Sequence, residues 1–159
     1  MTYQLVRLNI IAGFELVFVK SDIAIAEDRV GKHRASLSYN WKRFLDNGIK
    51  IAAGSDSAIE PYNPMFGIDA AVNRTDWDGN PKEGWLPDQC LTVEQAVRAF
   101  TTGAAYANRE EDVKGSLEVG KYADAVVLSD DIFTIDKKKI KDIVVEKTIL
   151  DGKVVFERK

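Results

Sequence analysis

One histidine and one cysteine in 159 residues set the first limits. With Cys90 alone there is no intrachain disulfide, and a reducing compartment, hence a cytoplasmic protein, is expected. A zinc hydrolase site draws about three protein ligands, mostly from His, Cys and carboxylate. Neither His-x-His nor His-x-x-x-His occurs here, and His33 lies between Lys32 and Arg34 at a helix start, a surface position. Gly-rich phosphate loops of either kind are missing as well. No stretch approaches the about 20 apolar residues of a membrane span. The run Ile10–Val19 is broken by Gly13 and Glu15 and lacks a signal-peptide cleavage pattern. A formal net charge of -3 gives no electrostatic reason to bind nucleic acid or an anionic membrane. The Lys137–Lys141 cluster is interrupted by Ile140 and followed by Asp142, so it reads as a solvated turn, an anion site being the other reading. There is no internal repeat and no low-complexity segment.

What is present is ordinary for a globular chain: 45% hydrophobic and 30% charged residues. The length is that of one domain, enough to bury ~70% of the unfolded surface. The central stretch is Ile49-Lys50-Ile51-Ala52-Ala53-Gly54-Ser55-Asp56. It reads as a short strand covered on both faces, as in a parallel sheet. Asp56 then falls just past its C-terminal end, where open α/β sheets and barrels place their chemistry.

Upstream, Leu16-Val17-Phe18-Val19 is the strongest strand candidate. From Gly31 a helical pattern puts Leu37, Trp41, Phe44 and Leu45 on one apolar stripe, with Asn47-Gly48 as its stop. A helix leading straight into a buried strand is half of a βαβ unit, so Val17–Val19 and Ile49–Ala53 are expected to be parallel neighbours. Downstream, Asn63-Pro64 is a helix start, with Met65, Ile68, Ala71 and Val72 as its inner face. Residues 74–90 carry several turn signals, and Trp77 and Trp85 inside that loop read as its own packing core, or else as a substrate wall. Thr92 and Gln95 form a capping box, with Leu91 and Ala96 placed to staple. Gly103 marks a break or close packing. Ala123–Leu128 reads as a strand. Ile143–Leu150 and Lys153–Phe156, joined by Asp151-Gly152, call for a type I′ hairpin.

For chemistry, Asp56 has two readings: a catalytic carboxylate, or a turn cap accepting the amides of residues 57 and 58. The long loop after it favours a binding site. Ser55 and Ser57 have no base except His33, on the preceding helix.

Several segments occur in one order: Gly54-Ser55-Asp56; Asn63-Pro64-x-x-Gly67-Ile68-x-Ala70-Ala71-Val72-x-Arg74; Gly84-Trp85-x-Pro87-x-Gln89-x-Leu91-Thr92; Ala105-Tyr106-Ala107; Gly115-Ser116-Leu117-Glu118-x-Gly120-Lys121-x-Ala123-Asp124; and Asp151-Gly152-Lys153-Val154-Val155. From roughly residue 27 onward the chain resembles the C-terminal third of the amidohydrolase superfamily, in particular the metal-dependent amidohydrolases of the family-3, YtcJ-like type. The resemblance implies an α/β fold: the C-terminal part of a (β/α)8 TIM-type barrel over residues 1–114, then the C-terminal strands of a small β-sandwich over 115–159. Ile49–Ala53 becomes the last barrel strand, and Gly115–Asp124 turns the chain from barrel to sandwich.

Asp56 matches the family's aspartate that takes a proton from a metal-activated water, returns it to the leaving nitrogen, and can touch the metal. Asn63, Arg74 and Trp85 are secondary candidates for contacts near a substrate pocket, although Arg74 can equally pair with Asp76 or Asp78. The implied substrates are small molecules with non-peptide C–N bonds (amides, formamides, N-acyl groups), and the implied cofactor is a divalent, zinc-type metal ion. The family's histidine ligands fall upstream and have no counterpart here. Glu15-Leu16 stands where the family tends to have Gln-Pro, so the first 26 residues match poorly. The chain is therefore expected to be an excised or truncated C-terminal piece that binds no metal and is silent by itself. Two alternatives remain: one half of a split enzyme, or a non-catalytic module that binds a ligand or self-associates into a homo-oligomer through open sheet edges.

Overall fold

The computed structural model describes residues 2–159. It begins with helix α1 (Thr2–Arg7), strand β1 (Ala12–Glu15), a 3-10 turn over Leu16–Phe18, and the short helices α2 (Val19–Asp22), α3 (Ala26–Val30), α4 (Lys32–Ala35) and α5 (Trp41–Asp46). Strand β2 (Ile51–Gly54) lies parallel to β1, with Ala12 opposite Ile51 and Glu15 opposite Gly54. The parallel pair is the expected one, but its first strand sits earlier than the sequence suggested. Leu16, Val17, Val19 and Lys20 are all buried. Side chains at i, i+1, i+3 and i+4 share a helical face, and a continuous apolar run suits a buried helix as well as a strand. The long helix expected from Gly31 is also corrected. Gly31, at φ +78, separates α3 from α4, and Leu37 is 50% exposed. Only Trp41, Phe44 and Leu45 of the stripe pack inward.

Helix α6 (Pro64–Asn73) is the centre of the molecule, and Met65 and Gly67 to Val72 are all buried. It packs against the Leu16–Phe18 turn, against another 3-10 segment (Lys137–Asp142), and against α7 (Val93–Phe100). Its start is built as the sequence indicates, with Asn63 Oδ1 accepting the Met65 amide at 3.1 Å and Pro64 at the first helical position. The capping box of α7 is complete: Gln95 N donates to Thr92 Oγ1 at 3.1 Å, and Thr92 N donates to Gln95 Oε1 at 2.9 Å. Leu91 and Ala96 are both buried. Helix α8 (Thr102–Ala107) follows after a break at Thr101. A Cβ on Gly103 would overlap the Ile51 carbonyl oxygen, so only glycine lets α8 lie directly on β2.

The chain ends in an antiparallel sheet, β3 (Ala125–Leu128), β4 (Val145–Leu150) and β5 (Lys153–Glu157), in that spatial order. Asp151 (φ 48) and Gly152 (φ 75) give the two positive φ angles of a type I′ turn. Asp124 Oδ1 accepts the Asp151 amide at 2.9 Å, and Gly152 N donates to the Ala123 carbonyl at 3.1 Å. Ala123-Asp124 thus hold the hairpin turn, and the strand starts after them. One hydrophobic cluster joins Leu16, Trp41, Ile51, Ile68 and Leu91 to Ile132, Ile140 and Ile143.

Candidate active site

The candidate carboxylate lies at the ends of β1 and β2. Phe14 packs edge-on against Phe44 of α5, with ring centroids 5.3 Å apart. Residues alternate across a strand, so Gly13 and Glu15 face away from that helix and are exposed. Glu15 stands opposite Gly54, one residue short of Ser55-Asp56. Asp56 is exposed, in a turn at φ 51, and its backbone carbonyl accepts the Ile59 amide at 2.7 Å. Its carboxylate makes no hydrogen bond or ion pair among the described residues; the turn is closed by backbone. The loop beyond is tied to α2: Ser21 Oγ donates to Glu60 at 2.6 Å and accepts from Trp77 Nε1 at 3.2 Å.

The other sequence candidates lie elsewhere. Asn63 spends its side-chain oxygen on the α6 cap. Arg74 is fully buried, at the left-handed C-cap of α6. Its guanidinium lies between the rings of Trp41 (4.7 Å) and Trp85 (5.4 Å). Nε donates to the Trp85 carbonyl at 2.6 Å and Nη1 to the Tyr39 carbonyl at 2.8 Å, while Nη2 has no hydrogen-bond partner among the described residues. Burial lowers its pKa to about 10. No ion pair to Asp76 or Asp78 forms; Asp76 Oδ1 instead accepts the amides of Asp78 and Asn80 at 2.9 and 2.7 Å. Trp85 packs on Tyr39 as well. Trp77 is held by Phe66 and Ser21, and is 41% exposed. His33 is exposed on α4.

Among the described residues, no three His, Cys, Asp or Glu side chains converge closely enough to hold a metal ion. Asp56 offers one carboxylate where a zinc hydrolase uses about three protein ligands. The residues present do not fit a metal ion by themselves.

Sequence reasoning missed one feature. Lys20 and Asp69, each 2% exposed, form an ion pair at 2.5 Å. Asn73 Nδ2 donates to the same carboxylate at 2.8 Å. The available signals were an acid inside the apolar run Ile68–Val72 and a lysine closing Leu16–Val19. A cleft of about 500 Å³ also opens beside Lys50, Ile51 and Tyr106, at the opposite end of β2 from Asp56.

The pair of parallel strands with helices packed on it, followed by a separate antiparallel sheet, fits the α/β barrel-type fold class. The amidohydrolase family model matches residues 3–156. The chain belongs to the amidohydrolase family. It is 34% identical over 152 residues to the Bacillus subtilis (strain 168) protein named "Putative amidohydrolase YtcJ", covering 96% of this chain and 29% of that one. It is 31% identical over 117 residues to the N-substituted formamide deformylase of Arthrobacter pascens, covering 74% and 21%. Among solved structures, an uncharacterised metal-dependent hydrolase from Pyrococcus horikoshii superimposes with a TM-score of 0.74 at 27% identity, over 86% of this chain and 27% of that one. The chain thus spans under a third of the length of the curated relatives it matches. The family match reaches back to residue 3, so residues 3–26 lie within it.

Proposed function

We propose that this chain supplies the proton-transfer carboxylate of a hydrolase that cleaves non-peptide C–N bonds in small amide-type substrates. The observation carrying the reading is Asp56, an unengaged, exposed carboxylate just past the end of β2. In the reaction R–CO–NH–R′ plus water, the water oxygen bonds to the carbonyl carbon and the C–N bond breaks. Asp56 takes the proton released by the water and delivers it to the departing nitrogen, leaving a carboxylic acid and an amine. The relatives' deformylase and metal-dependent hydrolase names support this substrate class and a divalent metal ion. In this reading the nitrogen ligands of that metal come from residues outside these 159, and these residues alone do not turn over substrate.

A second reading, self-association, draws on β1 and β2, which form a two-stranded sheet with neither outer edge paired among the described residues. Unpaired edges favour addition of a further strand.

The test is hydrolysis of N-substituted formamides by this chain, alone and mixed with a polypeptide carrying the remaining family barrel strands. Activity only in the mixture, falling about 10²–10⁴-fold in Asp56→Asn, is the expected result. Because the Asp56 side chain bonds to nothing described, that variant should melt like the wild type. Turnover with bound zinc in this chain alone, or full activity of Asp56→Asn in the mixture, refutes the proposal.

A further inference from the structure

A cavity of about 480 Å³ lies between the C-terminal end of α6, the loop after Arg74 and the Lys137–Asp142 turn. It shares no lining residue with the ends of β1 and β2. Its volume is in the range of small-molecule sites. At its base is the buried Lys20–Asp69 pair, with Lys20 Nζ also 3.5 Å from the Thr75 and Asp76 carbonyls. One wall is Trp77, fixed by its hydrogen bond to Ser21 and by Phe66, with Lys20 Nζ 5.4 Å from its ring centroid.

The rim brings together lysines far apart in sequence: Lys82 from the loop, and Lys138 and Lys141 from the cluster that sequence alone reads as a solvated turn or an anion site. The lining carries four ammonium groups and three carboxylates, Asp69, Asp76 and Glu83. These are not equally engaged. Asp69 is held by Lys20 and Asn73, Asp76 by two backbone amides, and Lys141 by Asp142 at 2.8 Å. Lys82 and Lys138 have no carboxylate partner among the described residues, and Glu83 is the one lining acid left unengaged. Two free cations at the mouth of a walled cavity favour an anionic head group, and Trp77 offers the rest of the molecule an aromatic surface.

We infer that this cavity is a second ligand site, taking a small organic anion whose phosphate or carboxylate head sits between Lys82 and Lys138 and whose body lies against Trp77. The site is independent of the hydrolytic reading, because binding is measured without turnover.

The experiment is calorimetric titration of the purified chain with phenyl phosphate, benzoate and inorganic phosphate, each at ionic strength held constant with sodium chloride. Saturable binding of at least one aromatic anion is expected, tighter than that of inorganic phosphate, and the two aromatic arms distinguish a phosphate from a carboxylate head. The exposed-residue variant Lys82→Ala/Lys138→Ala should weaken it about tenfold or more with the melting curve unchanged. Trp77→Leu should reduce the preference for the aromatic anions over inorganic phosphate. No saturable heat with any of the three at millimolar concentration overturns the inference, as does undiminished binding by the double variant.

Discussion

Replacing Lys20 by Met removes the ammonium group that pairs with the buried Asp69 carboxylate. What remains is an acid 2% exposed, with a single hydrogen bond from Asn73. Breaking a buried pair from one side costs about 3–5 kcal/mol, because the surviving charge keeps its desolvation penalty and loses its counter-charge. That is a large share of the about 5–15 kcal/mol that holds a domain folded. At about 2–4 °C per kcal/mol for a chain of this size, the melting temperature should fall by roughly 6–20 °C. Asp69→Leu should cost a similar amount, since the ammonium would keep only two carbonyl oxygens at 3.5 Å. The double variant Lys20→Met/Asp69→Leu should recover most of the loss, because a packed apolar pair commonly matches a buried ion pair. Urea and thermal unfolding followed by circular dichroism give all three values, and the cycle isolates the coupling. Single-variant costs below about 1 kcal/mol, or a double variant equal to the sum of the singles, would refute the reasoning. Either would mean that water screens the pair.

Arg74→Lys should destabilise by about 2–3 kcal/mol in the same assay, since an ammonium cannot span the Trp85 and Tyr39 carbonyls or stack between two indoles. Thr92→Ala should cost about 1 kcal/mol by removing the α7 cap, measured by urea midpoint. Burial raises the Cys90 pKa, so the pH midpoint of iodoacetamide alkylation should lie above that of a free model thiol. The folded protein keeps the thiol proton that the unfolded chain gives up first. Stability from this group is therefore full below the unfolded pKa and declines as pH rises through the folded one. A midpoint at or below the model thiol would show that Arg74 and Lys137, the cations acting on Cys90, outweigh burial.

The sequence by itself determined the features that close within a few residues. The Asn63-Pro64 start of α6, the Thr92–Gln95 box and the Asp151-Gly152 turn each rest on a local hydrogen bond or a backbone angle that only certain residues adopt. Strand β2 and the exposed carboxylate after it were legible for the same reason, since a short apolar run between glycines has few alternatives. Tertiary structure decided whatever depends on a distant partner. Leu16–Val19 carries an apolar run that suits strand or helix, and the burial of Leu16, Val17, Val19 and Lys20 against α6 selected the helical form. Arg74 looked like a loop cation near acids, yet it lies between two indoles because the chain returns past α6 at Trp85. Lys138 and Lys141 belong to a cluster that read as a solvated turn or an anion site, and only packing brought Lys82 to the same cavity. Charge and burial are set by neighbours in space, and spacing along the chain carries no record of those neighbours once the contact spans dozens of residues.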